Sequence, residues 1–243
     1  MRTLLRKLVV FLCPLYLVGC SVLYVPDSRN TIIFEEAGEF HADVNYGTNG
    51  FEIKSAFSIT DFLGMGYSGS FINRTYDILY FKPHSHSYHE FMGLVNIKRF
   101  ASYGRLNLTA GYGAGTSTAY DEYVQPSGNE LTLEGDFNRF FIQPTVALKK
   151  EKITYGLANR FSYVNFSSFS SSLPQDGNSY NGYYFEPAIF IRSVGDKFGF
   201  ISQFGLSVGL DDVNANVFNH EIYQISVGLN INLAEVFKRS DTK

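Results

Sequence analysis

The sequence predicts an all-β protein: an up-and-down antiparallel transmembrane β-barrel of about ten strands, preceded by a lipoprotein signal peptide. Three observations predict it. Apolar and polar residues alternate with a period of two from Glu39 almost to the end of the 243 residues. The polar partners are mostly Gly, Ala, Ser, Thr, Asn and Gln, not the Lys and Glu of a solvated sheet face. The connections also alternate between tight and long, as in membrane barrels whose short turns are periplasmic.

The leader comes first. Arg2, Arg6 and Lys7 form a positive start, and Leu8 to Val18 form an apolar stretch broken only by Pro14. That suits a secretory signal and is too short for a spanning helix. Leu17-Val18-Gly19-Cys20 resembles the lipobox of bacterial lipoproteins, which implies a covalent lipid at Cys20 and loss of residues 1–19. Ser21 after the cysteine resembles the outer-membrane-sorted form. Residues 20–37 show no sustained period and read as a tether from the lipidated Cys20, with Pro26-Asp27 as a turn. The barrel is expected over 38–235, followed by a polar C-terminal tail over 236–243.

Without its leader the chain has 17 Lys and Arg against 23 Asp and Glu, a net charge of −6. No basic run exists, so nucleic acid is not an expected partner. Cys13 leaves with the leader and Cys20 carries the lipid, so no intramolecular disulfide is expected. The aromatic content of 16% is all Tyr and Phe. With few charges and many glycines, this suits apolar surface spread along alternating strands.

The strands follow in order. Phe40, Ala42, Val44 and Tyr46 form the first apolar face, and Thr48-Asn49-Gly50 marks a hairpin. Phe51, Ile53 and Phe57 carry the second strand; Leu63, Met65, Tyr67 and Phe71 carry the third. Phe91, Val95 and Ile97 mark the fourth, opposite Glu90 and Asn96. The fifth sets Leu106, Leu108, Ala110 and Tyr112 against Gly111, Gly113 and Gly115, a run of glycines that lies inside a strand and so is no nucleotide loop. The sixth carries Phe140, Ile142 and Val146; the seventh Ile153, Tyr155, Leu157 and Phe161; the eighth Tyr183, Phe185 and Ile189. Phe198, Phe200 and Phe204 mark the ninth, and Tyr223, Ile225, Val227 and Leu229 the tenth. Pro144 and Pro187 fall mid-strand and cost ladder bonds. Tight connections are expected at 59–62, 99–104, 149–152 and 193–197, and long ones at 73–86, 116–135, 165–181 and 209–220. An even strand count with periplasmic short turns predicts both termini on the periplasmic side.

The chain resembles outer-membrane β-barrel lipoproteins of Bacteroidota. The residues that carry this are the Leu17–Cys20 box, Gly38-Glu39-Phe40, Gly111–Gly115, Asn138–Pro144, Arg160–Asn165 and Phe185-Glu186-Pro187. More broadly it is similar to small barrels of the OmpA, OmpX and OmpW type. The resemblance implies fold and an outer-membrane location, lipid-anchored, and brings no activity with it. In one respect the chain departs from such barrels, running on through Phe237 to Lys243 instead of ending on an aromatic strand terminus.

The candidate site is a luminal charge network. Glu90, Arg139, Arg160 and Glu186 share the inward face near the long loops, and bare charges there must pair. His84 and His86 lie on one strand face as candidate metal ligands, with His89 pointing the other way. Asp211, Asp212, His220 and Glu221 in the last loop are the groups a barrel hydrolase would use. No catalytic residue and no cofactor is assigned, and an enzyme is not the expected reading. Expected partners are outer-membrane lipids and an extracellular ligand or protein. The readings are a closed barrel displaying loops, a small channel or a lipid hydrolase, and a lipid-tethered soluble lipocalin-like binding protein.

Overall fold

The computed structural model describes residues 22–75, 83–100, 103–121, 131–171, 180–193, 195, 197–210 and 219–237. The leader and Cys20 therefore lie outside the described residues. The strands are β1 (Val22–Tyr24), β2 (Phe40–Gly47), β3 (Gly50–Ser58), β4 (Leu63–Arg74), β5 (His84–Phe100), β6 (Gly104–Asp121) and β7 (Leu131–Lys150). They continue as β8 (Ile153–Ser171), β9 (Tyr180–Ser193), β10 (Phe198–Leu206), β11 (Val208–Gly209), β12 (Asn219–His220) and β13 (Tyr223–Asn232), and a short helix α1 (Leu233–Phe237) follows.

Consecutive strands from β2 to β10 pair antiparallel, and β13 pairs with both β10 and β2. The sheet closes on itself as a ten-strand barrel, so no edge is left to pair with another chain. The β2–β3 and β7–β8 hairpins are the tightest of its described turns, each with two residues between the strands. Gly50, which closes the first, adopts φ +81°, which a side chain would resist. Between β7 and β8 the register skips Gln143 and Pro144, the interruption expected of a residue with no N–H.

Burial runs opposite to that of a soluble protein. Phe91 is 70% exposed, Tyr46 69% and Ile189 60%, whereas Lys54 is 1% exposed and Glu186 0%. The strands of the barrel wall carry their most apolar face outward, and the inward face is mainly polar, with apolar clusters such as Tyr88, Phe137 and Phe166 among it. This excludes a lipocalin-like pocket, which needs the opposite facing. Outward aromatics cluster toward both rims: Tyr46, Tyr112 and Tyr183 toward the long loops, and Phe62, Tyr103 and Phe198 toward the short turns. Cross-strand contacts such as Tyr112 with Phe140 at 4.5 Å knit this belt.

Three expectations are corrected. First, all four long connections are partly strand: β4 runs to Arg74 and β5 starts at His84, Thr116 pairs with Asp136 and Thr118 with Glu134, β8 extends to Ser171, and Asn219–His220 form β12. Where β6, β7 and β8 extend, the outward face turns polar (Thr116, Glu134, Asp136, Ser168) while Ala119, Leu133 and Phe166 are buried inside, so the apolar-out alternation disappears although the ladder continues. Second, the start of the expected tail, 236–243, belongs to helix α1 as far as Phe237. Third, and most important, the part of the expected tether that is described does not hang free. Val22 to Thr31 are all buried, and so are Ile32 and Phe34.

This amino-terminal segment runs lengthwise through the lumen. β1 pairs parallel with β12 at the long-loop rim. At the short-turn rim the Phe34 carbonyl accepts from Asn96 Nδ2 at 3.1 Å, and the same amide donates to Asp61 in the 59–62 turn. Helix α1 follows β13 at that short-turn rim. The described chain therefore starts at one end of the barrel and finishes at the other. The even strand count fixes only where β2 begins and β13 ends, and the residues before Val22 and after Phe237 lie outside the described residues.

Candidate functional site

The wall holds the inner segment mainly through side chains, not a ladder. Gln203 grips Arg29 from both sides, its Oε1 accepting from the backbone N–H at 2.9 Å and its Nε2 donating to the carbonyl at 2.8 Å. Gln143 Nε2 donates to the Asn30 carbonyl at 2.6 Å. Glu52 accepts from the Ser28 N–H at 2.7 Å, and Lys54 donates to the Ser28 carbonyl. Each bond satisfies a main-chain group that would otherwise be buried without water.

At the centre the structure brings together all four residues expected in the charge network, with a fifth between them. Arg139 binds Glu90 at 2.5 Å and Asp27 at 2.6 Å; Arg160 binds the same Asp27 oxygen at 2.7 Å and Glu186 at 2.6 Å. Asp27 comes from the inner segment and is the hinge of the cluster. Arg29, also from the segment, donates to the backbone carbonyls of Glu186 and Leu206. The three carboxylates are thus matched by three guanidinium groups, which offsets the cost of burying each ion.

Two tyrosines complete the cluster. Tyr24 donates to Glu186 Oε1 at 3.0 Å and accepts from Arg139 at 3.1 Å. Tyr88 donates to Glu90 at 2.6 Å while its ring lies under the Arg139 guanidinium, 4.6 Å from centroid to carbon. Glycines on β6 make this possible: a Cβ at Gly113 would strike the Tyr88 ring, and one at Gly111 the Phe141 ring. These glycines thus make room in the lumen for the two rings.

Sequence reasoning missed Tyr24, Asp27, Arg29 and Tyr88. The signal for Asp27 and Arg29 was their charge in an aperiodic stretch, which is equally the signature of a solvated tether. Further charge pairs sit along the lumen. Asp43 accepts from Arg192 at 3.0 Å, and Glu52 lies 3.3 Å from Lys54. At the short-turn rim Glu35 accepts from Arg105 at 3.0 Å and Lys149 at 3.2 Å. Partial burial pushes the Glu35 carboxyl up, but its two cationic partners outweigh that and hold it below the ordinary glutamate value. Its contribution is present at neutral pH and fades as acid protonates it.

His84 and His86 do share a face, as expected, and are spent on each other. His84 Nδ1 donates to the Val22 carbonyl at 2.9 Å, so His84 Nε2 accepts from His86 Nδ1 at 3.1 Å, and Ser70 donates to His86 Nε2 at 2.9 Å. His89 faces outward against Tyr67. Among the described residues, no group of three or more His, Cys, Asp or Glu is placed to hold a metal. Asp211 and Asp212 lie outside the described residues. His220 donates to the Ser207 carbonyl at 3.1 Å and packs its ring on Tyr184, and burial holds it below the ordinary histidine value. Glu221 is bound to Arg74 at 3.0 Å. The pair His220–Glu221 thus closes the rim over the inner segment, with the Glu221 N–H donating to the Tyr24 carbonyl at 2.9 Å.

The chain is similar to the outer membrane protease OmpT of Escherichia coli, with a TM-score of 0.52 at 13% identity over 84% of this chain and 99% of that one. It is also similar to the translocator domain of the autotransporter NalP of Neisseria meningitidis, at a TM-score of 0.43 and 9% identity over 80% of this chain and 86% of that one. No family model and no curated protein matches the chain. The fold is that of an outer-membrane β-barrel. At such low identity the likeness covers architecture alone. At the centre of the lumen every carboxylate of the cluster is bound by a guanidinium and each residue is no more than 2% exposed. Such an arrangement clamps; it leaves no free base or nucleophile in the cluster to react.

Proposed function

We propose that this protein is an outer-membrane β-barrel lipoprotein, closed by its own amino-terminal segment, whose work is done by the loops and polar strand extensions beyond the membrane. The observation that carries this reading is the filled lumen. Eight strands leave an interior just wide enough for side chains to fill, and ten leave more. Here the surplus is taken by residues 22–34, held through Asp27 and Arg29. The outward apolar belt supports a place in a bilayer, and the likeness to outer-membrane barrels supports which bilayer.

Above the belt, β6, β7 and β8 continue as a polar ladder. Thr116, Ser117, Thr118, Glu134, Asp136 and Ser168 line a cleft of about 630 Å³ there. A wall that rises past the bilayer and carries hydroxyls and carboxylates suits contact with a soluble ligand or protein at the surface. The channel reading requires an open path, which the inner segment fills. The test is conductance of the purified full-length chain in planar bilayers. We expect no stepwise current at moderate voltage; steady ohmic steps from the intact chain would replace this reading with the channel.

A further inference from the structure

We infer that the lipid-bearing end of this chain is delivered to the cell-surface side, with acylated Cys20 leaving the barrel at its long-loop rim. The inference rests on the lipoprotein reading of Leu17–Cys20 and on the long loops facing outward, both part of the function proposed above.

Direction decides the matter. Val22 pairs with Asn219, its carbonyl accepts from His84 at 2.9 Å, and the Leu23 carbonyl accepts from Ser117. All three partners belong to the long-loop rim. Phe34 is held by Asn96 at the opposite rim. The segment therefore crosses the lumen from the long-loop side toward the short turns. Cys20 lies two residues before Val22, and two residues span about 7 Å at most. The apolar band of such barrels is about 25 Å tall. From Val22, Cys20 cannot reach the periplasmic face, and the lumen through which it would return is occupied by residues 22–34.

The exit also lies beside the lowest part of the wall. Between β2 and β3 the strands end in the tight 47–50 hairpin, whereas β5 to β8 rise well beyond it. Arg74 links the two places, donating to the Thr48 carbonyl at 3.4 Å and to Glu221 at 3.0 Å, next to the Tyr24 carbonyl that the Glu221 N–H holds. Acyl chains leaving here have their shortest route to the outer leaflet over that hairpin. The chemistry is that of any lipobox cysteine. Its thiol sulfur forms a C–S bond to the glyceryl carbon of a diacylglyceryl phospholipid, the phosphoglycerol leaves with its C–O bond pair and takes up the thiol proton, and water then hydrolyses the Gly19–Cys20 bond. Threading of the modified end must accompany barrel assembly, because the closed wall gives no later path.

The experiment uses the full chain with Ser21→Cys, where position 21 becomes the sole free thiol once Cys13 has left and Cys20 is capped. Intact cells are treated with a membrane-impermeant maleimide, with Glu36→Cys at the opposite rim as the second variant, and incorporation of labelled palmitate is followed in parallel. The inference expects Ser21→Cys to be labelled on intact cells as fully as after permeabilisation, and Glu36→Cys at least tenfold more after permeabilisation. Protection of Ser21→Cys in intact cells overturns it. Absence of palmitate overturns the lipoprotein reading instead, while the maleimide result still reports the rim by which the chain leaves.

Discussion

Asp27→Ala is expected to lower the stability of the folded barrel by about 3–5 kcal/mol, the cost of removing one partner from a buried ion pair. The carboxylate holds Arg139 at 2.6 Å and Arg160 at 2.7 Å. Without it three buried guanidinium groups (Arg29, Arg139 and Arg160) face only two carboxylates, Glu90 and Glu186, and the lumen gains an uncompensated positive charge. Asp27→Asn keeps the shape and loses the charge, so it should recover little. Arg160→Ala should cost a similar amount by leaving Glu186 without its guanidinium partner and Asp27 with Arg139 alone. Glu36→Ala, at an exposed position, should fall within about 0.5 kcal/mol of the parent chain. The measurement is the temperature at which the compact, heat-modifiable gel band is lost in detergent. Unchanged melting of both Asp27→Ala and Arg160→Ala would sink the clamp.

Deleting residues 23–35 should turn a silent barrel into a conducting one. The segment occupies the axis, and the wall residues left behind (Glu52, Lys54, Gln143, Gln203 and Gln224 among them) are polar and would be wetted. A ten-strand barrel without its filling is wider than one its side chains can close. The deletion also strands Arg139 and Arg160, so a gentler variant accompanies it. Replacing Asp27-Ser28-Arg29 by Gly-Ser-Gly keeps the chain length and removes the clamp, and should give flickering openings in planar bilayers. Silent records from both variants, once each is shown to be folded by its heat-modifiable band, would mean that something other than the segment closes the lumen.

The barrel was legible in the sequence because a two-sided strand must alternate. Leu106, Leu108, Ala110 and Tyr112 against Gly111 and Gly113 leave little choice of register, and the structure pairs them as such, with outward Tyr112 at 45% exposure. The charge cluster was half legible. Glu90, Arg139, Arg160 and Glu186 stand at inward positions of long alternating runs, so their convergence follows from the strands. Asp27 and Arg29 were not legible. Their segment has no period because its main chain is bound by Gln203, Gln143, Glu52 and Lys54 of the wall instead of by a neighbouring strand. The strand extensions past Thr116 and Ser167 were hidden for a related reason: their outward face meets water instead of lipid, so nothing selects apolar residues on it, while the buried face carries Ala119 and Leu133. Counting strands likewise says nothing of a segment such as residues 22–34 that runs through the interior.

The central claim is that residues 22–34 are an internal part of the folded barrel. It is tested most directly by amide hydrogen exchange of the full-length protein in detergent micelles, read segment by segment. The N–H groups of Ser28, Arg29 and Ile32 are bonded to Glu52, Gln203 and Asn30. We predict protection of this segment over hours, comparable with β6 and β7, and its loss together with the barrel on heating. Exchange of residues 22–34 within seconds, while the strands stay protected, would contradict the account and return the segment to the outside as a tether.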